Sequence, residues 1–306
     1  MSKKFGLVFV MALFLIFSAA CALAAGTDIT VIDMFERKVT LSQPATRIVA
    51  LTASDCEILC ALGAEETLVG RGTYCDYPES ILDVPVVDSG SSTNIEQIIA
   101  LAPQVVLMSD MAQSVEQVEA LERAGIKVVV SNANTIDEVY KAIRMIGSLM
   151  GKTSEAENLV LDMQKTFEDI SNSSKNKGKT VYFEVSPLQW GLWTAGNNTF
   201  MNELANICGL KNAFEDINGW AEISEEQVLA RNPDYIVTIT MYYGQGPTPV
   251  EEIMSRSGWN DIEAVKNGNV LNADSNEISR PGPRLKDAAL SMYKFLSEKE
   301  VVLPAA

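Results

Sequence analysis

The sequence predicts an α/β protein built as two lobes, each with a central parallel sheet, joined by one long helix. Strand and helix signals alternate along the chain, which argues parallel sheets with helical crossovers. One unit of helix, proline and strand occurs twice: "IEQIIALAPQVVL" at 95–107 and "EEQVLARNPDYIV" at 225–237. Glu96, Gln97, Ala100 and Pro103 recur as Glu226, Gln227, Ala230 and Pro233, each displaced by 130 positions. That spacing far exceeds solenoid periods, so it marks duplication at the scale of a domain. Between the copies lies the longest amphipathic stretch of the chain.

The elements follow in order. The alternation in "DITVIDMFERKVTL" around a turn reads as a β-hairpin. "RIVAL" is a short buried strand, and "TASDCEILCALGA" is a helix capped at Ser54/Asp55 and stopped at Gly63. "TLVGRGT" is the next strand and runs into the loop "YCDYPES"; "PVVDSG" leads to the first copy of the repeat. "VEQVEALERAG" is a helix with a glycine stop, and "IKVVVSN" is a buried strand. From about 135 to 178 the pattern is helical throughout and ends in a polar Ser/Asn/Lys/Gly run. Alternation restarts with "TVYFEV", then the helix "TFMNELANICG", the second copy, the strand "VLNADSN" and a closing helix "GPRLKDAALSMYKFLSEK". The expected division is a leader at 1–25, a first lobe at 26–151, a linking helix at 152–178 and a second lobe at 179–306.

The leader is an export signal: the positive "MSKK", the apolar "FGLVFVMALFLIF", then small residues. Its apolar core is too short for a membrane span. Two processing points compete. Cleavage after Ala24 follows the pattern Ala22-Leu23-Ala24, whereas cleavage before Cys21 would leave a cysteine for lipid attachment. "SAAC" is similar to a lipobox, although Ser18 stands where Leu is preferred.

The chain carries 24 Lys+Arg against 40 Asp+Glu, a net charge of −16. Losing the leader removes two lysines and leaves about −18. Such a surface repels phosphate backbones, which argues against nucleic acid as a partner. Histidine is absent, so His-containing triads and HExxH zinc sites are ruled out. No Gly-x-Ser-x-Gly, Walker A or Gly-x-Gly-x-x-Gly pattern stands in an enzyme's context. Cys56, Cys60, Cys75 and Cys208 sit on apolar helix faces or in loops, and free buried thiols explain them better than disulfides. A metal site from Cys56, Cys60 and Cys75 matches no standard spacing.

In open α/β sheets, ligands bind beyond the carboxyl ends of the strands. The loops there are "TASD" (52–55), "TYCDYP" (73–78), "SGSSTN" (89–94) and "MSDMAQ" (108–113) in the first half. In the second they are "SPLQWGLWTAGNN" (186–198), "TMYYGQG" (240–246) and "DSNEISRPGPR" (274–284). Tyr74, Tyr77, Trp190, Trp193, Tyr242 and Tyr243 therefore gather at strand ends. Core packing accounts for about half of such aromatics, but loops cannot bury them all. Two facing lobes with aromatic rims suit a large, flat, partly apolar ligand. Arg280 and Arg284 flank two stiffening prolines in "SRPGPR". A rigid arginine fork suits anionic oxygens, with Arg280 the better ligand candidate and Arg284 the better candidate for a simple ion pair.

Together these segments resemble the Fe/cobalamin class of substrate-binding proteins of ABC importers, over nearly the whole mature chain. "TYCDYP" is similar to the Tyr-x-Asp-Tyr-Pro loop of cobalamin-binding members, "TAGNNTFMNELANICGLKNAF" to the entry of the second lobe, and "NIEQIIALAPQVVL" to the most recognisable segment of the class. "DMFER" departs from the pattern, with Glu36 where relatives have Gly. The resemblance implies two Rossmann-like lobes on one rigid helix, a ligand between them, no catalysis and no intrinsic cofactor. It further implies that Glu96 and Glu226 dock into the two subunits of an ABC permease dimer that carries its ATPase. A helix N-terminus alone also explains either glutamate, but recurrence in both copies favours docking. The expected ligand is a corrinoid, with Tyr74 stacking and Trp190 and Trp193 opposite. A ferric siderophore anchored by Arg280 is next, then haem ligated by Tyr74 or Tyr77. The alternative from another class is an exported enzyme of tetrapyrrole or metal-chelate metabolism on the same two-lobe plan. The protein is expected to be a monomer, periplasmic or lipid-anchored on the outer face of the cell membrane.

Overall fold

The computed structural model describes residues 28–109, 114–176 and 178–301. The leader with Cys21, and residues 110–113 of the "MSDMAQ" loop, lie outside the described residues. The chain opens with an antiparallel hairpin of β1 (Ile29–Ile32) and β2 (Lys38–Leu41). β3 (Ile48–Ala50), β4 (Leu68–Gly72), β5 (Val86–Val87), β6 (Val105–Met108) and β7 (Lys127–Val130) then form a five-stranded sheet in the order β5-β4-β3-β6-β7. Every pairing in it is parallel. The crossovers run through α1 (Ala53–Ala61), α2 (Ile95–Ala100) and α3 (Val115–Arg123). β3 and β6 are buried at every position, as expected of strands covered by helices on both faces.

Two helices follow back to back, α4 (Ile136–Leu149) and α5 (Thr153–Ser173). Thr135 caps α4 with a reciprocal bond to Glu138. Both axes come close at Gly147, where a Cβ would stand 2.5 Å from the Ala156 methyl. α5 buries Ala156, Val160, Met163, Phe167 and Ile170, a single stripe at spacings of three and four. That stripe belongs to one continuous core that includes Ile48 and Leu107 before the helix and Val181 and Phe183 after it.

The second sheet has the order β10-β8-β12-β13, from β8 (Thr180–Glu184), β10 (Lys211–Asn212), β12 (Tyr235–Thr238) and β13 (Val270–Asn272), again all parallel. β9 (Trp193–Ala195) and β11 (Trp220–Glu222) add a separate antiparallel ribbon that the alternation of apolar residues did not announce. Helices α6 (Phe200–Ile207), α7 (Glu225–Arg231), α8 (Pro249–Ser255) and the closing α9 (Leu285–Val301) complete the lobe.

The internal repeat recurs in the structure. α2 leads to β6 and α7 leads to β12, and the strand limits 105–108 and 235–238 again differ by 130. Ile98 and its counterpart Val228 are both fully buried. Ala102 and its counterpart Asn232 both take a left-handed backbone, φ 47° and 43°, immediately before the shared proline. The residue after that proline secures a neighbouring strand in both copies. The Gln104 side chain accepts from the Thr46 and Arg47 amides at 2.7 and 3.1 Å, ahead of β3. Asp234 accepts from the Thr180 amide at 2.8 Å, at the start of β8. The unit is thus a helix, a proline-bearing turn and the strand that sits beside the first strand of each sheet.

Candidate functional site

The residues singled out in the sequence stand at the carboxyl ends of parallel strands in both sheets, where open α/β sheets bind ligands. Tyr74 and Tyr77 follow β4, Trp190 follows β8, Tyr242 follows β12 and Arg280 follows β13. Trp193 lies in the ribbon strand β9 rather than in a loop. Several of these rings are in solvent: Tyr74 is 78%, Trp190 77% and Tyr243 82% exposed, and Tyr77, Trp193 and Tyr242 are each at least two-fifths exposed. Rings left in water on loops that follow strands are poor core and good contact surface.

On the second lobe, the segments 187–189 and 240–247 enclose a pocket of about 470 Å³. Leu188, Met241, Tyr242 and Tyr243 give it apolar walls, and Gln189 and Thr240 give it polar ones. The Tyr242 hydroxyl donates to the Gly246 carbonyl at 3.3 Å, which fixes one side of the loop. Beneath the pocket Arg256 lies buried. It makes two bonds to Glu184, at 2.6 and 3.0 Å, pairs with Glu252, and stacks on Trp259 at 4.4 Å from the ring centre. Burial pushes the Glu184 carboxyl above its ordinary value, against the pull of Arg256.

On the first lobe, Tyr74 and Tyr77 are held by a charge cluster that sequence reasoning missed. Glu57, 2% exposed in the interior of α1, binds two arginines that arrive from the second lobe. Arg280 donates to it at 2.9 Å, and Arg284 makes two bonds at 2.9 and 2.7 Å. Arg280 also donates to the Asp76 carboxylate at 2.7 Å and to the Tyr74 carbonyl at 3.3 Å. The Arg284 guanidinium lies over the Tyr77 ring at 4.1 Å. Working against its burial, the Arg280 guanidinium holds the Asp76 carboxyl below the ordinary range. Arg284 is the ion-pairing residue its place ahead of the last helix suggested, and Arg280 spends its donors in the same way. The available signal was Glu57 itself: a carboxylate inside the apolar run "CEILC" requires a buried cation, and "SRPGPR" supplies two.

The thiols take no such role. Cys56, Cys60, Cys75 and Cys208 are free. The hydrogen bond to Cys75, together with burial, pushes the Cys56 thiol well above its ordinary range, and both sulfurs reach the Ala50 carbonyl, at 3.8 and 3.7 Å. Among the described residues no group of three His, Cys, Asp or Glu is placed to hold a metal ion.

Glu96 and Glu226 occupy equivalent, exposed positions in the first turns of α2 and α7. Asn94 and Ser224 cap those helices through the amides of Gln97 and Gln227. The hydrogen bond from the Ser224 hydroxyl, and then that from its own backbone amide, lower the Glu226 carboxyl, so it is an anion at neutral pH. Its neighbour Glu225 is engaged differently and accepts from the buried Trp259 indole at 2.8 Å.

Comparison with known proteins places this arrangement. Residues 48–277 match the model of the periplasmic binding protein family. An uncharacterized ABC transporter substrate-binding lipoprotein, YvrC of Bacillus subtilis, is 37% identical over 276 residues, covering 87% of this chain and 85% of its own. A vitamin B12-binding protein of Salmonella typhi is 28% identical over 258 residues, 83% of this chain and 91% of its own. Among solved structures, a possible iron-binding (periplasmic solute-binding) protein from Staphylococcus epidermidis superposes with a TM-score of 0.70 at 31% identity, over 83% of this chain and 99% of that one.

Proposed function

The chain belongs to the periplasmic binding protein family, the extracytoplasmic substrate-binding proteins of ABC importers, and from that premise we propose that it captures a corrinoid and delivers it to a permease. Members of this family bind and hand over a substrate; they are not enzymes. The observation that carries the choice of ligand is the pairing of exposed rings with neutralised charge. Tyr74 and Trp190 offer open faces to a large flat ligand, while Arg280, Arg284 and Arg256 are all committed to carboxylates. A largely uncharged macrocycle fits those surfaces better than a highly anionic chelate does. Vitamin B12-binding relatives over most of the chain support the same reading. In it, Tyr74, Tyr77, Trp190, Trp193 and Tyr242 contact the ligand, and Arg280 fixes the loop that carries Tyr74.

Delivery rests on the repeat. A substrate-binding protein meets a permease made of two like halves, so the docking carboxylate has to occur twice in equivalent settings. Glu96 and Glu226 are that pair, exposed at matched helix starts. The leader exports the chain, and lipidation at Cys21 would tether it beside the permease.

Uptake of radiolabelled cyanocobalamin by cells tests both halves. Deleting this protein should abolish uptake at limiting substrate, and the wild-type chain should restore it. The Glu96→Lys, Glu226→Lys double variant should bind cobalamin as the wild type does and restore nothing, because each arginine-rich docking pocket would then meet a like charge. Normal uptake by that double variant contradicts the docking role. Unchanged uptake on deletion contradicts the ligand.

A further inference from the structure

Glu57 stands in the apolar run Cys56–Cys60 of α1, two residues past the buried Asp55, and it faces two arginines supplied from more than two hundred residues away. A buried carboxylate in that position costs solvation and is weak evidence for stability, since a well-packed apolar side chain often does as well. Its effect on the surroundings is more specific. With Asp76, it supplies two negative charges to two guanidinium groups whose side chains are each 13% exposed. The same group of residues opens to solvent through Asp76 and through Tyr74, whose carbonyl Arg280 holds. Guanidinium forks held rigidly at the edge of a cleft are the usual means of taking catecholate, citrate or propionate oxygens. Here the forks are present and already filled.

We propose that Glu57 sets the charge selectivity of the cleft: by saturating Arg280 and Arg284 it closes an anion site and restricts the protein to ligands without strong negative charge. This rests on the chelate-binding reading above and assigns its selectivity to one carboxylate. The ordering follows from the geometry. Arg284 makes both of its ion-pair contacts with Glu57, so removing that charge leaves Arg284 without an ion-pair partner. Arg280 divides its contacts between Glu57 and Asp76, so removing either charge frees it in part.

The experiment compares two ferric chelates matched in metal and size but not in charge, a trianionic tris-catecholate and a neutral tris-hydroxamate. Each is titrated by tryptophan quenching against the wild type, Glu57→Gln and Asp76→Asn. Glu57→Gln should gain affinity for the tris-catecholate by roughly tenfold or more, with the tris-hydroxamate unchanged. Asp76→Asn, at a half-exposed position where folding is not at stake, should gain in the same direction by less. The gain should shrink as salt is raised. No gain in either variant, or an equal gain for both chelates, overturns the proposal. Because the expected result is a gain for an anion, it is read independently of whether cobalamin binds, so failure of the corrinoid reading and failure of this one are separate outcomes.

Discussion

At the scale of single residues, the site is governed by where carboxylates are buried. Asp55 stands in the first turn of α1, fully buried, and burial pushes its carboxyl up to about 6 from the ordinary 3.8, against the pull of the Thr52 and Ser131 hydroxyls. A carboxyl raised by folding holds its proton more tightly in the folded state. The folded protein therefore gains from it below about pH 4 and loses that gain as pH rises through about 6. The shift corresponds to a loss on the order of 3 kcal/mol by neutral pH. Urea unfolding of Asp55→Asn, compared with the wild type at acid and neutral pH, checks this. The variant should lack that part of the pH-dependent decline, so its advantage over the wild type should grow from pH 4 to pH 7. A constant difference would contradict it. The exposure of Tyr74, Tyr77, Trp190 and Tyr242 was legible in the sequence because Trp and Tyr beside Gly, Asn and Pro mark loops, whereas Trp193 lies in the short strand β9. Glu57 was legible only as a carboxylate in an apolar run: its partners are two arginines more than two hundred positions away, a distance that no local pattern spans.

At the scale of elements, the helices and central strands were legible, because burial on both faces of a parallel sheet forces apolar runs such as "VVLM" and "YIVT". The ribbon of β9 and β11 was not. Its three-residue strands carry exposed and half-buried positions, including Trp193 and Trp220, so no alternation is long enough to read. Trp220 packs on Phe200 at 5.4 Å and so belongs to the lobe rather than to open solvent. The first hairpin shows how a single departure from a family pattern is tolerated. Glu36 adopts a left-handed backbone, φ 58°, where a Cβ is crowded. Asp33 holds the turn regardless, accepting from the Phe35 and Arg37 amides at 3.0 and 2.9 Å, and from the Val130 amide of β7 at 3.2 Å. Glu36→Gly should relieve the crowding and raise stability by about 1 kcal/mol, seen as a higher urea midpoint with an unchanged slope. A lower midpoint would mean that the Glu36 side chain contributes more than its backbone costs.

At the scale of the whole molecule, duplication is the organising fact. The repeat was legible as four identities, one of them a proline, and the structure extends it to a left-handed residue, a strand register and a side chain that secures the neighbouring strand. Two like sheets on one chain carry two like helix starts, which the proposed docking to a two-fold permease would use, and two sets of strand ends, which the proposed ligand would meet. The continuous core through α5 ties the sheets together, so the cleft is shaped largely before the ligand arrives. On the reading proposed above, the exposed rings at the strand ends of the two lobes take a corrinoid. With four tryptophans in the chain and Trp190 exposed on the loop after β8, fluorescence quenching would report occupancy of the proposed site. The deciding measurement is a quenching titration of the mature protein with cyanocobalamin, run beside Tyr74→Ala and beside haemin and a ferric tris-catecholate. The expected result is saturation by cyanocobalamin at sub-micromolar concentration, a loss of roughly 1–3 kcal/mol in Tyr74→Ala, and much weaker binding of both anionic ligands. Saturation by haemin or the tris-catecholate with no response to cyanocobalamin would contradict it.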